Sequence, residues 1–443
     1  LSRAPRRKPI TPASPPLSPL PPPSQPPKGL WRWAVPLLLA LYVALAAWHA
    51  WIVPLGANGY QDAPDEAAHI AYVHTVASGH LPTRQTAAKN PQNGYEWHQP
   101  PLYYGLAALF LPLGERALRL ASLLCGLGGL LLIYRAARLV FPNDPDLASL
   151  AVGIAALMPT HIAITSSVNN DALLEVCFSA TLLVLIGAFY GGFTFWRAGW
   201  LGVVIGAALL TKATGLLLLP LVALALLLLW RAGEKPQDLL RSAAWMVAVI
   251  AVVSGWWFVR NTQLYGELLP LHAFQEAFAG TAQASDMVAL LGGWSPYFLF
   301  MSLGIFKSFW AVYGTARDAV VGKPSFLPMQ AYWLFGAISA AALAGLVKLH
   351  FRRKTDFTET QRYVIWILIA TIGLVAVSFG AFIVKYFQMQ GRYLYPAMLP
   401  ICLLLALGWR AILPQRHVSL ASGLLLTLLT ALCLAYLRTL MPS

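Results

Sequence analysis

Residues 33–53, "WAVPLLLALYVALAAWHAWIV", followed a few residues later by 60–74, "YQDAPDEAAHIAYVH", decide the fold class. The first stretch carries no Asp, Glu, Lys or Arg and is long enough to cross the ~30 Å hydrocarbon core as a helix rising 1.5 Å per residue. The second packs three carboxylates and two imidazoles into a chain of which only 11% is charged. An apolar span delivering the chain to a compact polar site is the pattern of a membrane protein with chemistry at its boundary. A composition 58% hydrophobic and a mean hydropathy of +0.63 extend that reading to the whole chain.

Hydropathy predicts an all-α polytopic membrane protein with about eleven transmembrane helices. They fall near 32–53, 117–134, 147–165, 172–190, 198–211, 214–230, 242–259, 330–348, 363–384, 393–410 and 417–437. Residues 1–28, rich in Pro and Ser with Arg3, Arg6, Arg7 and Lys8, cannot bury a core and read as a disordered, basic cytoplasmic tail. The run after Trp31 is too long and too rich in Trp for a cleaved signal peptide and reads as an uncleaved anchor. Residues 29–443 then form one integral-membrane domain.

With the tail inside, Arg135, Arg138, Arg231, Lys235, Arg241, Lys348, Arg352, Arg353, Lys354, Arg410 and Arg416 fall in short cytoplasmic turns, as the positive-inside rule requires. This accounts for most of the +14 net charge as flanking charge beside anionic headgroups, without a nucleic-acid partner. Two long outer segments, 54–116 and 260–329, remain to carry the chemistry. Cys125, Cys177, Cys402 and Cys433 lie in apolar runs without CxxC spacing and read as packing residues.

The opening polar stretch reads as a helix start on the outer surface. Asp62 can cap, Pro64 suits a first turn, and Asp65 and Glu66 suit the positive end of the helix dipole. His69 follows Asp65 by four residues and shares its face, with Tyr72 beside them, so Asp65 is the acid best placed next to an imidazole. In "NGYEWHQPPLYYGLAALFL", 93–111, Pro100 and Pro101 hold Glu96, His98 and Gln99 on irregular backbone, which membrane proteins tolerate where it lines a cavity. Asn169, Asn170 and Asp171 sit in another outer turn. Lys212, between two apolar stretches, would cost roughly 2.5–3.5 kcal/mol at mid-bilayer, so it is expected to face a cavity or an anion. Arg260 with Asn261, and Arg392, stand beside Trp or Tyr at further outer boundaries, either as interfacial anchors or, taken together, as cations for a phosphate.

"PDEAAHIAYV", "HQPPLYY", "NNDALL", "LLTKATGLLLLP", "WWFVRNTQLYG" and "QGRYLYPAMLP", in this order, resemble the bacterial membrane glycosyltransferases of the GT-C fold, in the protein mannosyltransferase and aminoarabinose transferase group. The resemblance runs from about Gly29 to Arg410. It implies amphipathic juxtamembrane helices in the first outer loop and an enzyme of the bacterial inner membrane with its site on the outer face. Such an enzyme moves a sugar from a polyprenyl-phosphate donor to a lipid, polysaccharide or protein acceptor. It implies Asp65 as catalytic base with Glu66 as second candidate, and His69, His98, Gln99, Tyr103, Asp171, Lys212, Arg260, Asn261 and Arg392 around the substrate and its phosphate. Where the family often has a phosphate-contacting Lys before the paired prolines this chain has Gln99, which shifts phosphate neutralisation to the other cations. His98 reads as a hydrogen-bond donor or as the ligand of a divalent metal cation. A flippase or transporter of lipid-linked glycans is the competing class, but it predicts internal repeats and mid-span charges. No repeat is evident, and the ionisable residues gather at one boundary.

Overall fold

The computed structural model describes residues 32–56, 63, 65–84, 96–279, 282–313, 325–351, 357–414 and 417–440. The expectations for the tail 1–28, for Asp62 and Pro64, and for Arg352, Arg353, Lys354 and Arg416 concern residues outside this set.

The chain is a multi-pass helical membrane protein. In order run α1 (Ala34–Ile52), α2 (Glu66–Ala77), α3 (Leu102–Ala108), α4 (Arg119–Val140), α5 (Pro145–Ala156), α6 (Pro159–Thr165), α7 (Asp171–Gly191), α8 (Phe195–Leu209) and α9 (Leu218–Arg231). They are followed by α10 (Pro236–Tyr265), α11 (Leu271–Ala279), α12 (Ala284–Leu291), α13 (Trp294–Trp310), α14 (Met329–Phe351), α15 (Glu359–Ile383), α16 (Met398–Ile412) and α17 (Val418–Thr439). Two-residue strands β1 (Val312–Tyr313) and β2 (Ser325–Phe326) pair antiparallel before α14. Among the described residues nine helices are long and apolar enough to cross a membrane, or up to eleven if each of two bent pairs is one span.

Local chemistry sets the boundaries. Asp144 accepts the Leu147 amide at the start of α5, Thr358 and Gln361 form a capping box at the start of α15, and Gly266 takes a left-handed φ of 76° where α10 ends. Pro159 has no amide proton to continue α5, and Met158 before it is extended. The expected single span 147–165 is therefore two helices bent by 68°.

The middle of the bundle holds α4, α7 and α16, the most buried of the spans. There α14 and α16 approach so closely that a Cβ on Gly345 or Gly408 would overlap the backbone of the other helix, the small-residue packing used when lipid supplies no hydrophobic drive. Outward faces carry Trp196, Trp200, Val252, Trp333, Val377 and Leu420, apolar surface suited to acyl chains.

The helices alternate in direction, so the two ends of the bundle differ. At one end Gln361 donates to the Val140 carbonyl (2.8 Å), Arg410 pairs with Asp144 (2.8 Å) and Lys348 donates to the Ala411 carbonyl (2.9 Å), which gathers the basic turns. At the other end stand α2, α3, the start of α7, the α8–α9 break and the turn before α16. The segment 260–329, read from the sequence as an outer loop, carries α11, α12 and α13 on this second end, with a bend of 110° between the last two. Tyr297 of α13 donates to the Ile383 carbonyl (2.5 Å) and Ser308 to that of Met389 (2.7 Å), so α13 rests against the segment leading to Arg392. Helices therefore occur in both long segments, 54–116 and 260–329, where the sequence reading expected them in the first alone. An apolar pattern shorter than a full span does not separate a surface-lying helix from loop until its contacts are known.

Candidate active site

The polar stretch after α1 opens α2 with Asp65 in a left-handed conformation, φ 59° and ψ 13°, the single non-glycine residue with positive φ among the described residues. That backbone is strained by roughly 1–3 kcal/mol and persists only where its surroundings enforce it. The enforcing contact is next door. Glu66 is buried and accepts from Arg119 Nε (2.8 Å) and Nη2 (2.6 Å), from the Val168 amide (2.8 Å) and from the Gly56 amide (3.0 Å). Arg119 in turn caps the end of α1 by donating to the carbonyls of Ala50 and Val53.

Glu66 thus locks α1, α2, α4 and the α6–α7 turn together, with both oxygens engaged and turned away from the cavity described below. It corrects the expectation of Glu66 as second base, since a carboxylate holding four donors has no free lone pair for an acceptor proton. Glu66→Gln is expected to lower stability by roughly 3 kcal/mol, because it strands the Arg119 guanidinium in a buried place. Thermal unfolding in detergent would read that loss.

Asp65 and His69 do share a face, and the His69 amide bonds to the Asp65 carbonyl (3.1 Å). The His69 ring bonds through Nδ1 to the Tyr104 hydroxyl (2.9 Å), and the residue lines the cavity described below. Across from them, Asn169 accepts the Asp171 amide at the start of α7 (3.0 Å), inside a turn whose Ser166, Ser167, Asn169 and Asn170 are all buried. Asp171 then holds two cations brought from far along the chain. Lys212, in the break between α8 and α9, pairs with its Oδ1 (2.5 Å), and Arg392, in the 3₁₀ turn Gly391–Ala397, with its Oδ2 (2.9 Å). Arg392 also reaches Asp65 Oδ2 (3.5 Å), so a carboxylate–guanidinium–carboxylate–ammonium chain links four elements. Gly391 fixes this turn: its amide donates to Ser308 (2.7 Å), and a Cβ there would overlap Phe309.

The segment before the paired prolines completes the wall. The Gln99 carbonyl accepts the Tyr72 hydroxyl (2.8 Å), and the Leu102 amide bonds to the Leu210 carbonyl (2.9 Å), which pins irregular backbone against α2 and α8. His98 packs edge-on against Phe274 of α11. Glu96 is 6% exposed, and its Oε2 has no hydrogen-bond partner. Burial pushes the Glu96 carboxyl up from the ordinary carboxylate range and the His69 imidazole down.

These groups surround a cavity of about 190 Å³ lined by Asp65, His69, Glu96, His98, Gln99, Asn170, Lys212, Arg392 and Tyr393 on its polar side and Phe274, Phe379 and Phe382 on its apolar side. A second cavity of about 200 Å³ adjoins it between α8, α10 and α11, walled by Leu209, Trp257, Phe258, Leu269 and Leu271, with Asn261 at its edge. Asn261 donates to the Leu268 carbonyl (3.2 Å) and belongs to this apolar groove.

Two expected site residues lie elsewhere. Tyr103 is wholly buried, bonded to Ser122 (2.6 Å) and accepting the Asn169 amide (3.0 Å); its neighbour Tyr104, about a hundred degrees further around the helix, is the one that meets His69. Arg260 lies over the Trp257 ring, 4.7 Å from its centroid, and bonds the Pro82 carbonyl, bracing the loop after α2 instead of lining the cavity. Tyr393 was not singled out from sequence, whereas Glu96 was placed with His98 and Gln99 on irregular backbone without a role of its own. An acid three residues before His98-Gln99-Pro100 was visible, but its burial was not.

Among the described residues no group of three His, Cys, Asp or Glu side chains is placed to hold a metal ion.

Comparison with solved structures places this architecture. ArnT from Cupriavidus metallidurans, in a crystal structure bound to undecaprenyl phosphate, aligns with a TM-score of 0.56 at 18% identity, over 90% of this chain and 63% of that one. The chain has the GT-C fold. The oligosaccharyltransferase AglB from Archaeoglobus fulgidus, solved with an inhibitory peptide and a dolichol-phosphate, shares the GT-C fold with a TM-score of 0.54 at 15% identity, over 93% of this chain and 56% of that one. Residues 98–257 of this chain match the family described as dolichyl-phosphate-mannose-protein mannosyltransferase. An alpha-(1->3)-arabinofuranosyltransferase of Mycobacterium tuberculosis is 30% identical over 122 residues, 27% of this chain and 8% of that protein. The chain thus spans about three-fifths of the ArnT chain and under a tenth of the arabinofuranosyltransferase.

Proposed function

We propose that the chain is an inverting glycosyltransferase that takes a sugar from a polyprenyl-phosphate carrier and passes it to a hydroxyl-bearing acceptor. Its site would lie on the non-cytoplasmic face of a bacterial inner membrane, with the basic turns and the N-terminal tail inside. The observation that carries this reading is the ion chain Asp65–Arg392–Asp171–Lys212 at the mouth of an apolar groove. It sets a half-buried carboxylate 3.5 Å from one of two cations held on one buried Asp, and it opens onto a groove wide enough for a lipid tail.

The chemistry follows from charge. As the bond between the anomeric carbon and the phosphate oxygen breaks, its electron pair stays on the departing phosphate, while positive charge collects on the sugar. Lys212 and Arg392, held in place by Asp171, meet the new phosphate charge without further reorganisation. The acceptor oxygen attacks the anomeric carbon from the opposite face and gives its proton to the Asp65 carboxylate, which inverts the configuration. Leu209, Trp257, Phe258 and Leu271 would sheathe the first isoprene units.

The test is purified protein in detergent with undecaprenyl-phosphate-linked arabinose, mannose and glucose and candidate acceptors. Both pentoses and hexoses are included because the matched family and the arabinofuranosyltransferase differ in the sugar they name. Release of undecaprenyl phosphate that rises with acceptor supports transfer. Movement of an intact sugar lipid across vesicles without cleavage of its phosphate bond would favour a flippase and overturn the proposal.

A further inference from the structure

The two cavities share His98, Gln99, Lys212, Thr214 and Phe274, whereas Asp65, His69, Glu96 and Arg392 line only the first. A lipid tail in the groove therefore enters along the shared wall and brings its phosphate to Lys212. Whatever the phosphate carries points onward, toward the wall formed by Asp65, His69 and Glu96.

On that wall Glu96 is unusual. Asp65 has Arg392, Glu66 has Arg119 and Asp171 has two cations, but among the described residues no cation stands within ion-pair distance of Glu96, and one of its oxygens lacks any hydrogen-bond partner while shut off from solvent. A buried polar oxygen left unmade costs roughly 1–3 kcal/mol, so it persists where a ligand group completes it. The last torsion of a Glu side chain is broad and two-fold, which lets the carboxyl turn either oxygen to the cavity. A carboxyl oxygen accepts from a sugar hydroxyl, and when protonated it also donates to one.

We infer that Glu96 is the sugar-recognising residue of this site, taking a hydroxyl of the donor sugar into a paired hydrogen bond and so distinguishing a glycosylated polyprenyl phosphate from the bare carrier. This rests on the polyprenyl-phosphate reading above. It gives Glu96 a role in donor selection and in clearing product: once the sugar leaves, the bare carrier loses this bond and departs more readily.

Binding of bare undecaprenyl phosphate and of its arabinose, mannose and glucose conjugates, measured for the parent, Glu96→Ala and Glu96→Gln, tests it. The parent is expected to hold at least one conjugate about tenfold or more tighter than the bare lipid. Glu96→Ala should erase that preference while binding the bare lipid as before, which also reports a folded site. Glu96→Gln, which keeps one acceptor and one donor, should retain most of the preference. A preference unchanged in Glu96→Ala, or equal weakening of bare and glycosylated lipids, overturns the role of Glu96, as does a parent that binds every conjugate no better than the bare lipid. A parent that binds no polyprenyl phosphate of either kind overturns the functional reading beneath it.

Discussion

Asp65→Asn is expected to lower transfer by roughly 10² to 10⁴ while leaving the binding of bare undecaprenyl phosphate within a few-fold of the parent. The amide keeps the volume of the side chain and an oxygen for Arg392, so the ion chain at the phosphate end persists. What it loses is the lone pair that takes the acceptor proton. A loss confined to the catalytic rate, with donor affinity intact, is the signature of a base; a loss in both would mean that Asp65 mainly holds Arg392. Asp65 is suited to the task by its left-handed backbone, which turns the side chain off the helix and over the cavity, and by its neighbour Glu66, which fixes that conformation through Arg119. Wild-type rates in Asp65→Asn would remove it from the mechanism.

Arg392→Met should cost about 10² to 10³ in kcat/KM with a polyprenyl-phosphate sugar, the range seen when one preorganised donor to a developing oxyanion is removed. Its guanidinium bridges Asp171 and Asp65, so its loss leaves Asp171 to Lys212 alone and Asp65 without its cation. Arg392→Lys should recover only a small part of the activity. A point charge cannot span two carboxylates as the planar fork does, nor lie along the Tyr393 ring, whose centroid is 5.3 Å from the Arg392 guanidinium carbon. Full activity in Arg392→Lys would reduce the residue to a generic positive charge, and full activity in Arg392→Met would move the phosphate site elsewhere.

The apolar runs and the basic turns were legible because solvent partition acts on each segment by itself: a run such as 33–53 has one stable place, across a bilayer, whatever its neighbours do. Four-residue spacing pointed to Asp65 and His69 as neighbours, and both line the cavity, but Asp65 reaches it through the left-handed backbone that precedes α2. Helical direction, by contrast, separates neighbours in sequence. Asp65 lines the cavity and Glu66 is clamped behind it; Tyr104 meets His69 and Tyr103 faces α4. Adjacent positions of one helix point roughly a hundred degrees apart, and the packing of α2 and α3 on α4 decides which of them meets the site.

Long-range contacts lay beyond the sequence for the same reason. Asp171 finds Lys212 and Arg392 at separations of 41 and 221 residues, Arg260 finds the Pro82 carbonyl, and Glu96 keeps one buried oxygen without a hydrogen-bond partner among the described residues. A polytopic membrane chain with polar residues gathered at the ends of its apolar runs follows from residue order alone, because burial of apolar length in lipid is a local property. Which of those residues form the ion chain, which brace the scaffold and which face the cavity was decided only by tertiary structure, because a charge takes its role from the partner that packing sets within hydrogen-bond reach.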